Sequence, residues 1–265
     1  MMGSMARSSS GESVLTRAVR VLEAFSPQEP VLTVSQISRR AALPMATTVR
    51  LVEELTRHGL LARDEQRRVR IGNRLWELAQ RASPVGTLRE TAMQFMSDLH
   101  SVVGHSAQLG ILDGQEVLFI ERLIAPGAVT TVTRIGGRLP LHASSAGLVL
   151  LAHAPADLRD RVLRGPLQPY TPHTITDQRA LRAALAEVRQ NGFALCPGHI
   201  RPNATGISVP VRVAGRVVAA LGLVVPNEEH AWSLARPLQI TGMALGRALD
   251  VQAGLSQRIQ PWIQP

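Results

Sequence analysis

The chain contains no lysine, a single cysteine and no apolar run long enough to cross a bilayer. Each absence removes a class of function. One thiol, Cys196, excludes an internal disulfide and any zinc site built from cysteines alone. A membrane span needs roughly eighteen to twenty unbroken apolar residues, and no stretch reaches that length. The opening residues, 1–12, are rich in serine and glycine and lack the apolar segment of a secretion signal, so they read as a disordered tail. Together these features point to a cytoplasmic protein with no membrane partner. The missing lysine itself says less. All 29 basic residues are arginine, against 20 acids and a formal charge of +9, and wholesale replacement of lysine follows genomic GC content rather than function.

With 265 residues and 45 % apolar content, the chain holds enough core for one large domain or two ordinary ones. Residues 1–82 carry 13 arginines against 8 acids, and residues 83–265 carry 16 against 12. The N-terminal third is about twice as basic per residue, which suits nucleic acid without demanding it.

Hydrophobic spacing predicts a helix over 13–25, with Ser13 as its N-cap and Ser26-Pro27 as its end. A short helix follows Thr33 and breaks at Leu43-Pro44. A third runs from Pro44 to His58, with Val49, Val52 and Leu55 on one face and Gly59 after its end. Two strands, 60–63 and 67–71, form a hairpin whose return limb carries Arg67, Arg68 and Arg70. A linker helix occupies 73–86, and a domain boundary falls near Ser83-Pro84. Beyond it the spacing predicts a helix at 87–102 and strands near 105–112, 116–124 and 128–135. A short apolar helix follows at 144–153, and another runs from the Thr176-Asp177 cap to Asn191-Gly192. Strands 206–213 and 217–225 lead to a last helix over 231–252 and a tail over 253–265. Hairpins flanked by helices make residues 87–252 an α+β domain with a mainly antiparallel sheet.

Helix, helix, tight break, helix and basic hairpin within about sixty residues is the outline of a winged helix-turn-helix. The third helix must be slim and polar where it enters the major groove. Thr47, Thr48 and Arg50, with Met45 beside them, lie in its first two turns. Threonine methyls meet thymine methyls, and an arginine forks onto guanine or a phosphate. The expected DNA-facing set is Ser35, Gln36, Pro44, Met45, Thr47, Thr48 and Arg50, with Arg67, Arg68 and Arg70 in the wing. Its partner is double-stranded operator DNA.

In the second domain, Leu139 to Gly147 runs a loop of small residues into a helix N-terminus. Free amides and the helix dipole there favour an anion such as a carboxylate, and Ser144 and Ser145 add hydroxyl donors. The same serines also suit simple capping. Cys196 and His199 stand in a C-x-x-H spacing that admits a thiolate–imidazole pair. A small-molecule enzyme using these two residues is therefore the alternative to a regulator, although no orienting acid lies nearby in sequence. Nothing in the spacing of His142, Cys196 and His199 requires a metal, and no cofactor is expected.

The residues also carry a family resemblance. Val14-Leu15, Arg17-Ala18 and Val21-Leu22 resemble the first helix of the IclR family of transcriptional regulators, as do Gln36-Ile37-Ser38, Leu43-Pro44, Thr47 through Val52, Leu55 and Gly59-Leu60. The similarity continues through Arg70 to Leu75, Leu139 to Gly147, Gly192-Phe193-Ala194 and Ile207 to Val211. It implies a GAF-like effector domain and a homodimer or dimer of dimers whose operator binding, often as a repressor, responds to a small molecule. Matched residue by residue, the effector pocket falls on Leu139, Ser145, Ala146, Cys196, Ala204, Gly206, Gly222 and Val224, with Ser144 and Ser208 beside them. Several positions depart from the family pattern. Cys196 stands at an acidic position, Gly198-His199 replace a glutamate pair, and Gly222 and Val224 replace serines. Relatives often place a basic residue at the position of Met45. These departures imply a roomier, less polar pocket, suited to a partly apolar carboxylate or an aromatic catabolite.

Overall fold

In a computed structural model, residues 12–81, 84–127, 133–227 and 231–259 are described. The chain divides into two compact units, Met1–Ser83 and Pro84–Pro265.

The first unit begins with α1 (Val14–Glu23), where the Ser13 hydroxyl accepts a hydrogen bond from the Thr16 amide at 3.0 Å. Helix α2 (Val34–Arg40) opens on a complete capping box. The Gln36 amide donates to Thr33 Oγ1, and the Thr33 amide donates to Gln36 Oε1. Each bond satisfies an amide that has no carbonyl one turn back. The break before α3 (Met45–Arg57) is held from both sides. Ser38 Oγ donates to the Leu43 carbonyl at 2.7 Å, and the Arg20 guanidinium donates to the carbonyls of Ala41 and Ala42. Ala42 takes a left-handed φ of 49° to make this turn. Pro44 caps α3 from just outside the helix rather than lying in its first turn.

A three-stranded antiparallel sheet completes the unit, in the order β1 (Val31–Leu32), β3 (Val69–Ile71), β2 (Leu61–Arg63). Strand β1 is not expected from sequence, because two residues carry no alternation. At the base of the hairpin, a Cβ on Gly72 would stand 2.0 Å from the Gly59 carbonyl oxygen, so the two backbones touch only because Gly72 has no side chain. Val21, Leu32, Ile37, Val52, Leu61 and Val69 form the core. Helix α4 (Asn73–Gln80) buries none of its residues.

The second unit starts with α5 (Pro84–Val103), three residues earlier than its spacing suggests. Among the described residues its sheet has six antiparallel strands: β4 (Ser106–Asp113), β5 (Glu116–Leu123), β6 (Arg138–Pro140), β7 (Ala194–Pro197), β8 (Ala204–Val213) and β9 (Arg216–Pro226). Their order is β6-β5-β4-β9-β8-β7. Residues 128–132 of the strand expected at 128–135 lie outside the described residues. Residues 133–135 are not strand, and the edge strand is β6 instead. On one face of the sheet, α5 and α9 (Ala235–Ile259) pack on β8 and β4 through Met96, Ile207, Leu221, Leu238 and Leu245. Helix α9 runs on to Ile259, into the stretch expected as a tail from 253.

The other face carries α6 (Ser145–Ala152), α7 (Ala156–Arg164) and α8 (Gln178–Asn191). Helix α7 is not foreseen, since arginines and aspartates hide a three-residue apolar stripe, Leu158, Val162 and Leu163. Every residue of α6 is buried, as expected of a helix apolar on all sides. Its start is fixed by Gly147, where a Cβ would lie 2.4 Å from the Leu141 carbonyl oxygen. The molecule is thus an N-terminal helix-turn-helix unit and a C-terminal α+β unit with an antiparallel sheet. No helix among the described residues is long and apolar enough to cross a membrane.

The close approach at Gly147 yields a stability test. Gly147→Ala should destabilise the C-terminal unit by about 1–3 kcal/mol, read as a lower urea midpoint of the transition assigned to that unit. An unchanged midpoint would contradict the packing described for α6.

Candidate functional site

Two surfaces carry the candidate chemistry, one in each unit. On the first, α3 turns Met45 and Arg50 to solvent, with Met45 48 % exposed, while Thr47 is half-buried. Thr48 is 0 % exposed, and its hydroxyl donates to the Pro44 carbonyl at 3.1 Å. Burial withdraws Thr48 from the groove-facing set. A helix turns about 100° per residue, so the face that places Leu51, Val52 and Leu55 in the core takes Thr48 with it. Gln36 is partly committed as well, since its Oε1 closes the capping box. Ser35 and Pro44 are exposed beside the turn, and Ser35 Oγ pairs with Thr33 Oγ1 at 3.1 Å.

In the wing, Arg68 holds the turn. Its amide donates to Asp64 Oδ1 and its Nε to Asp64 Oδ2, both at 2.8 Å. Desolvation would raise the Asp64 pKa, but these bonds outweigh it and hold the carboxyl below its usual range. Arg67 adopts a left-handed φ of 59° at the tip. Arg50, Arg67 and Arg70 are exposed and have no ion-pair partner among the described residues, as is also true of Arg39 and Arg81.

In the second unit a cavity of about 460 Å³, counted out into its mouth, opens beside the start of α6. Of the residues named from sequence for an effector site, Leu139, Ser144, Ser145, Cys196, Ala204, Gly206 and Val224 line it. Ser144 caps α6 by accepting from the Gly147 amide at 3.1 Å. Ser145 Oγ shares a 2.8 Å hydrogen bond with Ser208 Oγ. A Cβ on Gly206 would stand 2.8 Å from Ser145 Oγ, and one on Gly222 would stand 2.5 Å from Ser208 Oγ. Ser208 and Gly222 therefore support Ser145 from beneath and are not among the lining residues. Ala146 is not a lining residue either, because its side chain is packed in the apolar core on the far side of the helix start.

The cavity also gathers residues outside the expected set: Gln108, Thr133, Ala143, His199, Ile200 and Arg201. Thr133 Oγ1 donates to Gln108 Oε1 at 2.8 Å. Gln108 sits on a strand that reads as apolar, and only its position beside β9 brings it to the cavity. The loop after β7 is strapped from outside. Thr171 Oγ1 donates to the Gly198 carbonyl and Thr174 Oγ1 to the His199 carbonyl, both at 2.6 Å. Among the described residues no acidic side chain lines the cavity.

Burial works against a charged Cys196–His199 pair. Burial pushes the Cys196 thiol well above its ordinary pKa. Burial, then His173 and His142, hold the His199 ring below its ordinary value. Both shifts oppose a thiolate–imidazolium pair. His142 instead lies within 3.0 Å of the Gln168 carbonyl through Nε2. Among the described residues no three His, Cys, Asp or Glu side chains are placed to hold a metal ion.

Comparisons with known proteins agree with this geometry. Residues 14–65 match the model of the IclR helix-turn-helix domain, and residues 82–233 match that of the bacterial transcriptional regulator IclR C-terminal domain. The HTH-type transcriptional regulator XynR of Escherichia coli is 33 % identical over 245 residues, covering 89 % of this chain and 97 % of that protein. The Pca regulon regulatory protein of Pseudomonas putida is 28 % identical, over 79 % of this chain and 72 % of its own length. Among solved structures, an IclR homolog from Microbacterium hydrocarbonoxydans complexed with 4-hydroxybenzoate is 43 % identical. It aligns with a TM-score of 0.86 over 91 % of this chain and 100 % of that one.

The burial of Cys196 has a direct chemical consequence. Because it is the thiolate that attacks a disulfide reagent and expels its coloured thiol, the native protein should react roughly 100-fold or more slowly than the urea-unfolded chain when release of that thiol is followed by absorbance. Equal rates would place Cys196 at an open surface.

Proposed function

The chain belongs to the IclR family of transcriptional regulators, and from that premise we propose that an aromatic or partly apolar carboxylate, bound in the cavity beside α6, controls its hold on operator DNA. The cavity itself carries this reading. Leu139, Ala143, Cys196, Ile200 and Val224 give it an apolar wall, Arg201 supplies a cation, and no acid among the described residues lines it. The first-turn amides of α6 add the partial positive charge of a helix start. The 4-hydroxybenzoate bound by the Microbacterium homolog has this chemistry.

In this reading residues 13–72 hold the DNA and residues 87–252 hold the effector. Met45, Thr47 and Arg50 enter the major groove, with Ser35, Gln36 and Pro44 at its edge. Arg67 and Arg70 reach the backbone or minor groove, while Arg68 shapes the wing. A homodimer or dimer of dimers acts in the cytoplasm on a two-fold operator, matching protein symmetry to DNA symmetry. Repression is the favoured direction, as in the AllR repressors of Klebsiella pneumoniae and Escherichia coli among its relatives. Catalysis is not part of this reading.

Two substitutions in α3 separate reader from scaffold. Arg50→Ala should weaken operator binding by about 1–3 kcal/mol if the guanidinium forks onto a base, measured by fluorescence anisotropy at fixed salt. Thr48→Val, which keeps the buried shape, should stay within about twofold of wild type. Wild-type binding by Arg50→Ala, or severe loss in Thr48→Val, would overturn this docking of the helix.

The effector reading is tested by calorimetry with benzoate, glyoxylate and pyruvate. Benzoate should bind with the highest affinity of the three and should raise the thermal midpoint of the protein. A two- or three-carbon acid that binds more tightly than benzoate would contradict the apolar-wall argument.

A further inference from the structure

The polar side chains that line the cavity differ in what they have left to give a ligand. Ser144 is engaged by the Gly147 amide and Ser145 by Ser208, while Arg201 is exposed to solvent. Gln108 is different. It is only 6 % exposed, it lines the cavity, and one end of its carboxamide is unused. Thr133 Oγ1 donates to Gln108 Oε1 at 2.8 Å. Gln108 Nε2, which carries two N–H donors, has no partner among the described residues. It is not among the unpaired atoms sealed from solvent either, so it keeps accessible surface.

Strand pairing fixes where this side chain stands. Gln108 lies opposite Arg122 on β5 and opposite Gly222 on β9. Its backbone is therefore flanked by strands on both sides, and the side chain is the part that reaches the cavity. Directly opposed residues of an antiparallel pair share a face. Gly222 in turn lies opposite Ser208 on β8, so Gln108, Gly222 and Ser208 form one row across the sheet. The next row on that face holds Val224, Gly206 and Cys196, all of which line the cavity. Ser208 ends the first row beneath Ser145, the first residue of α6. Gly222 has no side chain to stand between the carboxamide and that helix start.

The orientation of the amide is set as well. The Thr133 carbonyl accepts from the Arg122 guanidinium while the Thr133 hydroxyl holds Gln108 Oε1. A planar carboxamide held in this way places Nε2 away from Thr133. Helix α6 packs on β8 and β9, on the far side of Gln108 from β5.

We propose that Gln108 is the residue that reads the effector's carboxylate, with Nε2 donating to one oxygen while the first-turn amides of α6 face the other. The inference rests on the carboxylate reading above and makes neutral donors, not a counter-charge, the source of recognition inside the cavity. Arg201 draws anions to the mouth, a pull that salt screens. Gln108 acts only on contact, through a hydrogen bond strengthened by the ligand's charge.

The test is calorimetric titration of benzoate into the full chain, with unliganded thermal midpoints showing that each variant is folded. Gln108→Met, which keeps the length and removes the donors, weakens benzoate about tenfold or more. Gln108→Glu keeps the acceptor for Thr133 but turns the free end into an acceptor, and weakens benzoate further than the Met variant does. Arg201→Ala costs up to about fivefold, and that cost shrinks as salt is raised. Should the Met variant fail to fold, the Glu variant is read against wild type instead. A Met or Glu variant that binds benzoate as tightly as wild type overturns the assignment. So does a loss in Arg201→Ala as large as that in Gln108→Met, although the carboxylate reading then stands. A wild type that binds neither benzoate nor the two shorter acids overturns both.

Discussion

A helix with no polar face has to be enclosed, and in the C-terminal unit that requirement organises everything around Ser145–Ala152. Its eight residues are all buried, between β8 and β9 on one side and α8 on the other. Enclosure brings a second constraint, because the first-turn amides of any helix lack intrahelical partners. Ser144 satisfies one of them, and the remaining polar end opens on a cavity rather than on bulk solvent. The site is thus a by-product of how the core is closed. Glycines are needed where backbones meet to close it. Gly147 lets the helix touch Leu141, and Gly206 makes room for Ser145.

The N-terminal unit works on a different principle. Its core is small, and local hydrogen bonds set the geometry of the helix-turn-helix. Two caps fix the starts of α1 and α2, and Arg20 reaches across to the carbonyls of the turn between α2 and α3. Arg20 is itself paired with Glu12 at 2.9 Å. Arg20, a cation on the DNA-binding unit, is therefore structural, as is Arg68 in the wing. Net charge is a poor guide to such a surface. The cations that matter are those the fold leaves unpaired.

Much of this was legible in the sequence where residues act locally. Ser13, Thr33, Asp177 and Gly192 mark helix ends by their own chemistry, and the Ala214-Gly215 turn has both residues at positive φ. Alternation gave β8 and β9 closely, and β4 and β5 were read on either side of the Asp113-Gly114 turn. Elements without a local signal were lost. Two-residue β1 and three-residue β6 exist because a neighbouring strand pairs with them, and α7 shows only three apolar positions among charges. Site residues divide in the same way. Leu139, Ser144, Ser145, Cys196 and Gly206 are tied to a motif or a matched position. Gln108, Thr133 and Arg201 reach the cavity through sheet order and loop path, which no spacing encodes. Thr48 was misplaced because its neighbours Thr47 and Arg50 are polar, whereas the phase of Leu51, Val52 and Leu55 puts it inside.

The central claim is that the cavity and the DNA-binding unit are linked in free energy, so that one ligand changes the affinity for the other. The most direct measurement is operator affinity by fluorescence anisotropy, with and without a saturating aromatic acid, paired with the affinity of the same acid for free and operator-bound protein. The account predicts that the acid shifts operator affinity by about fivefold or more, and that operator shifts acid affinity by the same factor, as linkage requires. An acid that binds the protein tightly and leaves operator affinity unchanged would contradict it.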